Sequence, residues 1–94
     1  MHATVRHYRS APGLVDGVVA NEAAIRALLQ DIPGFRAYYI VRTGEDSAVS
    51  ISVYDDRAGT DASTAAARDW VAANIPGAAG APPEVSEGDV ALTF

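Results

Sequence analysis

Two histidines, His2 and His7, a single tryptophan, Trp70, and four tyrosines carry most of the chemistry open to this chain. Imidazole is the side chain that titrates near neutrality, so His7 is the candidate catalytic base. Its alternative role is that of a partly exposed histidine near a strand end. The odd spacing of His2 and His7 sends them to opposite faces of one strand, so they cannot jointly hold a metal within one chain. Cysteine and lysine are absent, which excludes thiolate nucleophiles, iron–sulfur ligation and Schiff-base chemistry. No metal set or cofactor motif is read. The run Gly77–Gly80 lacks the lysine and the preceding strand of a phosphate loop. Ser50 and Ser52 have no base at strand spacing. Asp55-Asp56 and Glu45-Asp46 read as solvated turn residues and a helix cap. Trp70 offers either a flat wall for a planar ring or a core anchor. Asn74, one turn later on the same stripe, offers either a donor to that wall or a helix-end cap. Tyr38 offers a hydroxyl on the helix-facing side of its strand.

Strands and helices in alternation must position these groups. Ala3 to Arg9 alternates like a strand and Pro12-Gly13 ends it. Leu14 to Asp31 has apolar residues near helical spacing, up to the stop at Pro33-Gly34. Phe35 to Thr43 and Ala48 to Tyr54 form a hairpin around Gly44-Glu45-Asp46-Ser47. Arg57 to about Ile75 is an alanine-rich helix closed by Pro76-Gly77. A small-residue loop, Gly77 to Pro83, leads to a last strand, Val85 to Thr93. Its apolar parity changes near Gly88, which predicts a β-bulge. The order βαββαβ predicts an α+β, ferredoxin-like fold with an antiparallel sheet covered by helices on one face. An even-length turn pairs Tyr39 with Ser52 and Ile40 with Ile51. It puts Tyr38, Ile40, Val49, Ile51 and Val53 toward the helices, with Val5 and His7 from the first strand. Arg6, Thr4, Tyr39 and Tyr54 then share the open face, where Arg6 needs an acid such as Glu87 or Asp89.

The 94 residues, 49% of them hydrophobic, are enough for one domain spanning 1–94 with a thin core. The net charge of −5 argues against nucleic acid and against an anionic membrane surface. No stretch is long and apolar enough to span a bilayer. Without an export signal or cysteines, the cytoplasm is the expected location.

Pro33-Gly34-Phe35 with Tyr38-Tyr39, the segment from Ser50 to Gly59, and Ala67-Arg68-Asp69-Trp70-Val71 resemble the antibiotic biosynthesis monooxygenase-like group of dimeric α/β barrel proteins. The likeness extends over nearly the whole chain. It implies a homodimer with two sheets face to face as a barrel, and a small cavity between each sheet and its helices. Some proteins of this group oxidise aromatic polyketides without a cofactor and others degrade heme. The heme-degrading pattern has an asparagine on strand one, where His7 stands here, and a tryptophan that Trp70 matches. It also has a later histidine that this chain lacks. Two functions follow from this. One is cofactor-independent oxidation of a small planar aromatic or quinone-like molecule, with His7 as base and Tyr38, Trp70 and Asn74 around the substrate. The other is a non-catalytic dimeric module for ligand binding or interaction.

Overall fold

The computed structural model describes residues 1–78 and 82–94. β1 (His2–Tyr8) leads to two short helices, α1 (Leu14–Ala20) and α2 (Glu22–Gln30). β2 (Phe35–Arg42) and β3 (Ala48–Tyr54) form the hairpin, followed by α3 (Arg57–Asn74) and β4 (Glu84–Asp89). The four strands make one sheet in the order β2-β3-β1-β4, each neighbouring pair antiparallel. This is the expected α+β, ferredoxin-like arrangement. The first helix, expected as one piece, breaks at Asn21, whose side chain donates to the Gly17 carbonyl at 2.8 Å. Such side-chain bonding competes with helix continuation. Residues 79–81 of the expected small-residue loop lie outside the described residues.

Two details of the last strand differ from expectation. β4 ends at Asp89, and it pairs without interruption from His2↔Asp89 to His7↔Glu84. Gly88 sits opposite Ala3 in regular register. The parity change there marks the end of the strand, not a bulge.

The hairpin register differs by one residue from expectation, with large consequences. Thr43 N–H donates to the Ser47 carbonyl at 3.1 Å, and Arg42 pairs with Ala48. An odd number of residues therefore closes the turn. Tyr39 faces Ile51, and Ile40 faces Ser50. A one-residue slip turns every side chain of a strand to the other face. Tyr38 and Ile40 point toward the helices as expected, but the β3 residues beside them are Ser50 and Ser52. β1 follows this register, with Arg6 opposite Ser50 and Thr4 opposite Ser52. Arg6, Thr4, Ser50, Ser52 and Tyr54 are buried beneath the helices. Val5, His7, Val49, Ile51 and Val53 occupy the open face, with Tyr39 and Val41 exposed beside them.

The hydrophobic part of the core lies at one end of this layer, where Leu14, Val18, Ile25 and Leu29 pack under the sheet. Tyr54 pins the other end. It is fully buried, donates its hydroxyl to the Leu29 carbonyl at 2.7 Å, and meets the Phe35 ring edge to face at 5.6 Å. Gly59 lets α3 approach this ring, since a Cβ there would lie 2.7 Å from Tyr54 Cβ and Cδ2. Asp56 caps α3 by accepting from the Gly59 amide at 3.2 Å. Gly34 takes φ +86° before β2, a backbone region that favours glycine.

Candidate functional site

The inverted parity brings a cation into the interior. Arg6 is 3% exposed, at the centre of the sheet beneath α3. Its five N–H groups meet four hydroxyls. Nη1 donates to Ser50 Oγ at 3.3 Å and to Ser52 Oγ at 3.1 Å. Nη2 donates to Ser63 Oγ at 3.2 Å and also to Thr64 Oγ1, while Nε donates to Thr64 Oγ1 at 3.2 Å. Helix α3 prepares these acceptors. Ser63 and Thr64 give their own protons to the Thr60 carbonyl, at 2.8 and 3.0 Å, which leaves oxygen lone pairs facing the guanidinium.

No carboxylate lies within ion-pairing distance of Arg6 among the described residues. The other six arginines each have an acid within 3.6 Å. Glu87, expected as a partner of Arg6, instead meets Arg57 at 3.1 Å and His2 at 3.5 Å. Asp89 reaches His2 at 3.7 Å. Burial pushes the Arg6 pKa down, since desolvation penalises its charged form. An arginine still stays protonated, so the interior holds an uncompensated positive charge.

Arg6 forms part of the wall of an open cleft of about 410 Å³ between α3 and the β1–β4 edge. Tyr8, Thr64 and Arg68 are its other polar lining residues, and Val71, Pro82, Pro83 and Val85 supply apolar surface. A second cleft of about 300 Å³ opens between α2 and β2, lined by Ile25, Leu29, Phe35 and Tyr38. Between the two lies a void of about 20 Å³ bounded by Arg6, Tyr38 and Ser50, large enough for one water. Burial there pushes the Tyr38 phenol up to about 12, while nearby Arg6 pulls in the opposite direction.

The expected site residues separate. His7 alternates with Arg6 and lies on the open sheet face, away from α3, which removes it from the sheet–helix site proposed for it. The expectation that aliphatic Val5 points inward produced that misplacement. Tyr38 does lie in the sheet–helix layer, on the α2 side. Trp70 is half-buried and packs against the hydrophobic core, but it is not a wall residue of either cleft. Asn74 is exposed and donates to the Trp70 carbonyl at 2.9 Å, which makes it a helix-end residue. Arg6, Thr64 and Arg68 were missed as site residues. Their signal is the run Thr60, Ser63, Thr64 at helical spacing, a polar stripe where a core stripe belongs. Among the described residues no cluster of three or more histidine, cysteine or acidic side chains is placed to hold a metal.

Solved structures of the same architecture were found by comparison. A protein of unknown function from Nitrosomonas europaea matches with a TM-score of 0.75 and 18% identity, over 99% of this chain and 91% of that one. A monooxygenase from Streptomyces coelicolor, solved with nanaomycin D bound, matches with a TM-score of 0.67 and 16% identity, over 99% and 89%. A cofactor-independent oxygenase from Streptomyces nogalater matches with a TM-score of 0.60 and 19% identity, over 99% and 95%. The fold is that of the antibiotic biosynthesis monooxygenase-like proteins. No family model and no curated protein matches the sequence. Among the described residues no helix is long and apolar enough to cross a membrane.

Proposed function

We propose that the protein binds a small planar aromatic molecule in the cleft beneath α3 and oxidises it with dioxygen, without a cofactor. The cleft carries this reading. Its volume of about 410 Å³ suits a two- or three-ring molecule, and its walls pair apolar surface with a few convergent polar groups. The nanaomycin-binding and cofactor-independent proteins of the same fold lend support at the level of architecture. A balanced form of the reaction takes an activated ring CH₂ and O₂ to a ring C=O and water. All four electrons come from the substrate, and dioxygen takes them up, one oxygen atom becoming the carbonyl and the other water. Among the described residues no histidine or carboxylate lines the cleft, so the substrate must supply its own acidity. That same observation favours the second reading, a module that binds such molecules without turning them over.

We also propose that the open sheet face pairs with a second copy of the chain. Val5, Val49, Ile51 and Val53 with exposed Tyr39 and Val41 make a continuous apolar surface that water leaves poorly satisfied. The lack of cysteine fits a reducing cytoplasm, where we place the protein. Incubation with anthrone in an oxygen electrode, with anthraquinone measured by chromatography, tests the enzymatic reading. Oxygen uptake equal to quinone formed, and above the protein-free rate, is expected. Binding without uptake leaves the module reading in its place. No binding of any planar aromatic in the cleft overturns both.

A further inference from the structure

We infer that the cleft selects ligands bearing a delocalised oxyanion, an ionised phenol, enol or carboxylate on a planar apolar body, with Arg6 supplying the charge through Thr64 and Arg68 closing the mouth. This rests on the reading of the cleft as an aromatic site and adds the charge of its occupant.

Three observations converge. The first is the missing counter-ion. Among the described residues every other arginine has an acid within 3.6 Å, Arg68 only loosely, while buried Arg6 has neutral hydroxyls alone. Burying an uncompensated ion carries a large desolvation penalty, and hydroxyls return only part of it. An arginine kept there at that cost has a use for its charge.

The second is the path from the charge to the cleft. The Arg6 donors are saturated, so a ligand need not touch the guanidinium. Thr64 Oγ1 takes two of its N–H bonds and is itself on the cleft wall. A hydroxyl polarised by two charged donors is a strengthened donor in its turn. Rotated from the Thr60 carbonyl toward the cleft, it gives its proton to a ligand oxygen, and that bond strengthens if the oxygen is ionised.

The third is the sign of the surroundings. The chain carries a net charge of −5, yet the described residues lining this cleft include two arginines and no acid. Among the described residues Arg68 pairs with Asp69 alone, at 3.6 Å with both side chains largely exposed, a pairing too weak to hold it from a ligand. A neutral aromatic would leave both charges unused. An oxyanion needs no base to form it in the cleft, which agrees with the absence of histidine and carboxylate there.

The test compares two flat ligands of nearly equal size at neutral pH: 2-hydroxy-1,4-naphthoquinone, ionised there, and uncharged 1,4-naphthoquinone. The chain has no cysteine to react with either. The anion is expected to bind about tenfold tighter or more, roughly the effect of one charge-assisted contact. Arg6→Met is expected to abolish that preference while binding of the neutral quinone persists. Thr64→Val, which keeps the arginine, is expected to lose much of it. If Arg6→Met does not fold, titration of the bound hydroxyquinone by absorbance in the unaltered protein gives the same answer. Its pKa is expected to fall by about one unit or more on binding. Equal affinity for the two quinones, or an unshifted pKa on binding, overturns the charge inference and leaves the aromatic site standing. Failure of both quinones to bind overturns the two together.

Discussion

Replacing Gly59 with alanine sets two magnitudes against each other. Alanine is the better helix former, by up to about 1 kcal/mol in a helix interior and less in a first turn. Against that, the new Cβ would stand 2.7 Å from Tyr54 Cβ and Cδ2 and 2.8 Å from Cγ, below any normal contact. Tyr54 cannot give way cheaply. It is wholly buried, its hydroxyl is tied to the Leu29 carbonyl, and Phe35 blocks the ring edge. Overpacking of this kind costs about 1–3 kcal/mol, so a net loss of about 1–2 kcal/mol is expected. For a domain of this size that lowers Tm by roughly 5–15 °C. Gly17 makes the useful contrast. A Cβ there meets Ile75 at Cδ1 and, at 2.9 Å, Cγ1, atoms of one partly buried side chain that can shift as a unit, so Gly17→Ala should cost less. Thermal unfolding by circular dichroism measures both. A cycle with Tyr54→Leu isolates the contact, with a coupling above about 1 kcal/mol expected because removing the ring removes the clash. A Gly59→Ala protein as stable as the original would refute the rigid packing of Tyr54 against α3.

Tyr38 should ionise late. Its folded pKa is raised to about 12 by burial, so the unfolded chain loses this proton first. Its contribution is present below the unfolded value and lost as pH rises from about 10 to about 12, and Tyr38→Phe should flatten that loss in urea titrations. Ile51→Arg, on the open face, should halve the mass seen by light scattering while leaving the circular dichroism spectrum unchanged. An unaltered mass would remove the proposed interface between copies. His7→Ala should leave quinone affinity within about twofold, because His7 and the cleft lie on opposite sheet faces. A larger loss would show that the open face takes part in the site.

The fold was legible because its signals are local. Pro33-Gly34 and Pro76-Gly77 stop helices, Gly44 to Ser47 closes the hairpin, and β-branched runs mark the strands. The site was not legible for two physical reasons, the first being the odd-length turn that sets the hairpin register. The second is that parity was assigned by sending aliphatic residues inward, and both faces of this sheet avoid water. Val5, Ile51 and Val53 form a half-buried outer surface, so hydrophobicity could not say which face the helices cover. The discriminating residues were polar ones. Ser50 and Ser52 on β3 match Thr60, Ser63 and Thr64 on α3, and a hydroxyl-lined layer of this kind needs a donor-rich side chain at its centre. Arg6 is the one arginine on β1, and it has the parity to fill it. Tyr38 shares its parity with Ile40, and both lie on the helix side although the β3 residues beside them are Ser50 and Ser52.

The location of the ligand is the claim on which the rest depends, and amide chemical-shift mapping by NMR with 2-hydroxy-1,4-naphthoquinone tests it directly. The account predicts shifts concentrated at Arg6, Thr64, Arg68, Val71 and Val85 around the α3–β4 cleft. Shifts concentrated instead at Val5, Val49 and Ile51 on the open face, or at Val19 and Gln30 beside the α2 cleft, would contradict it.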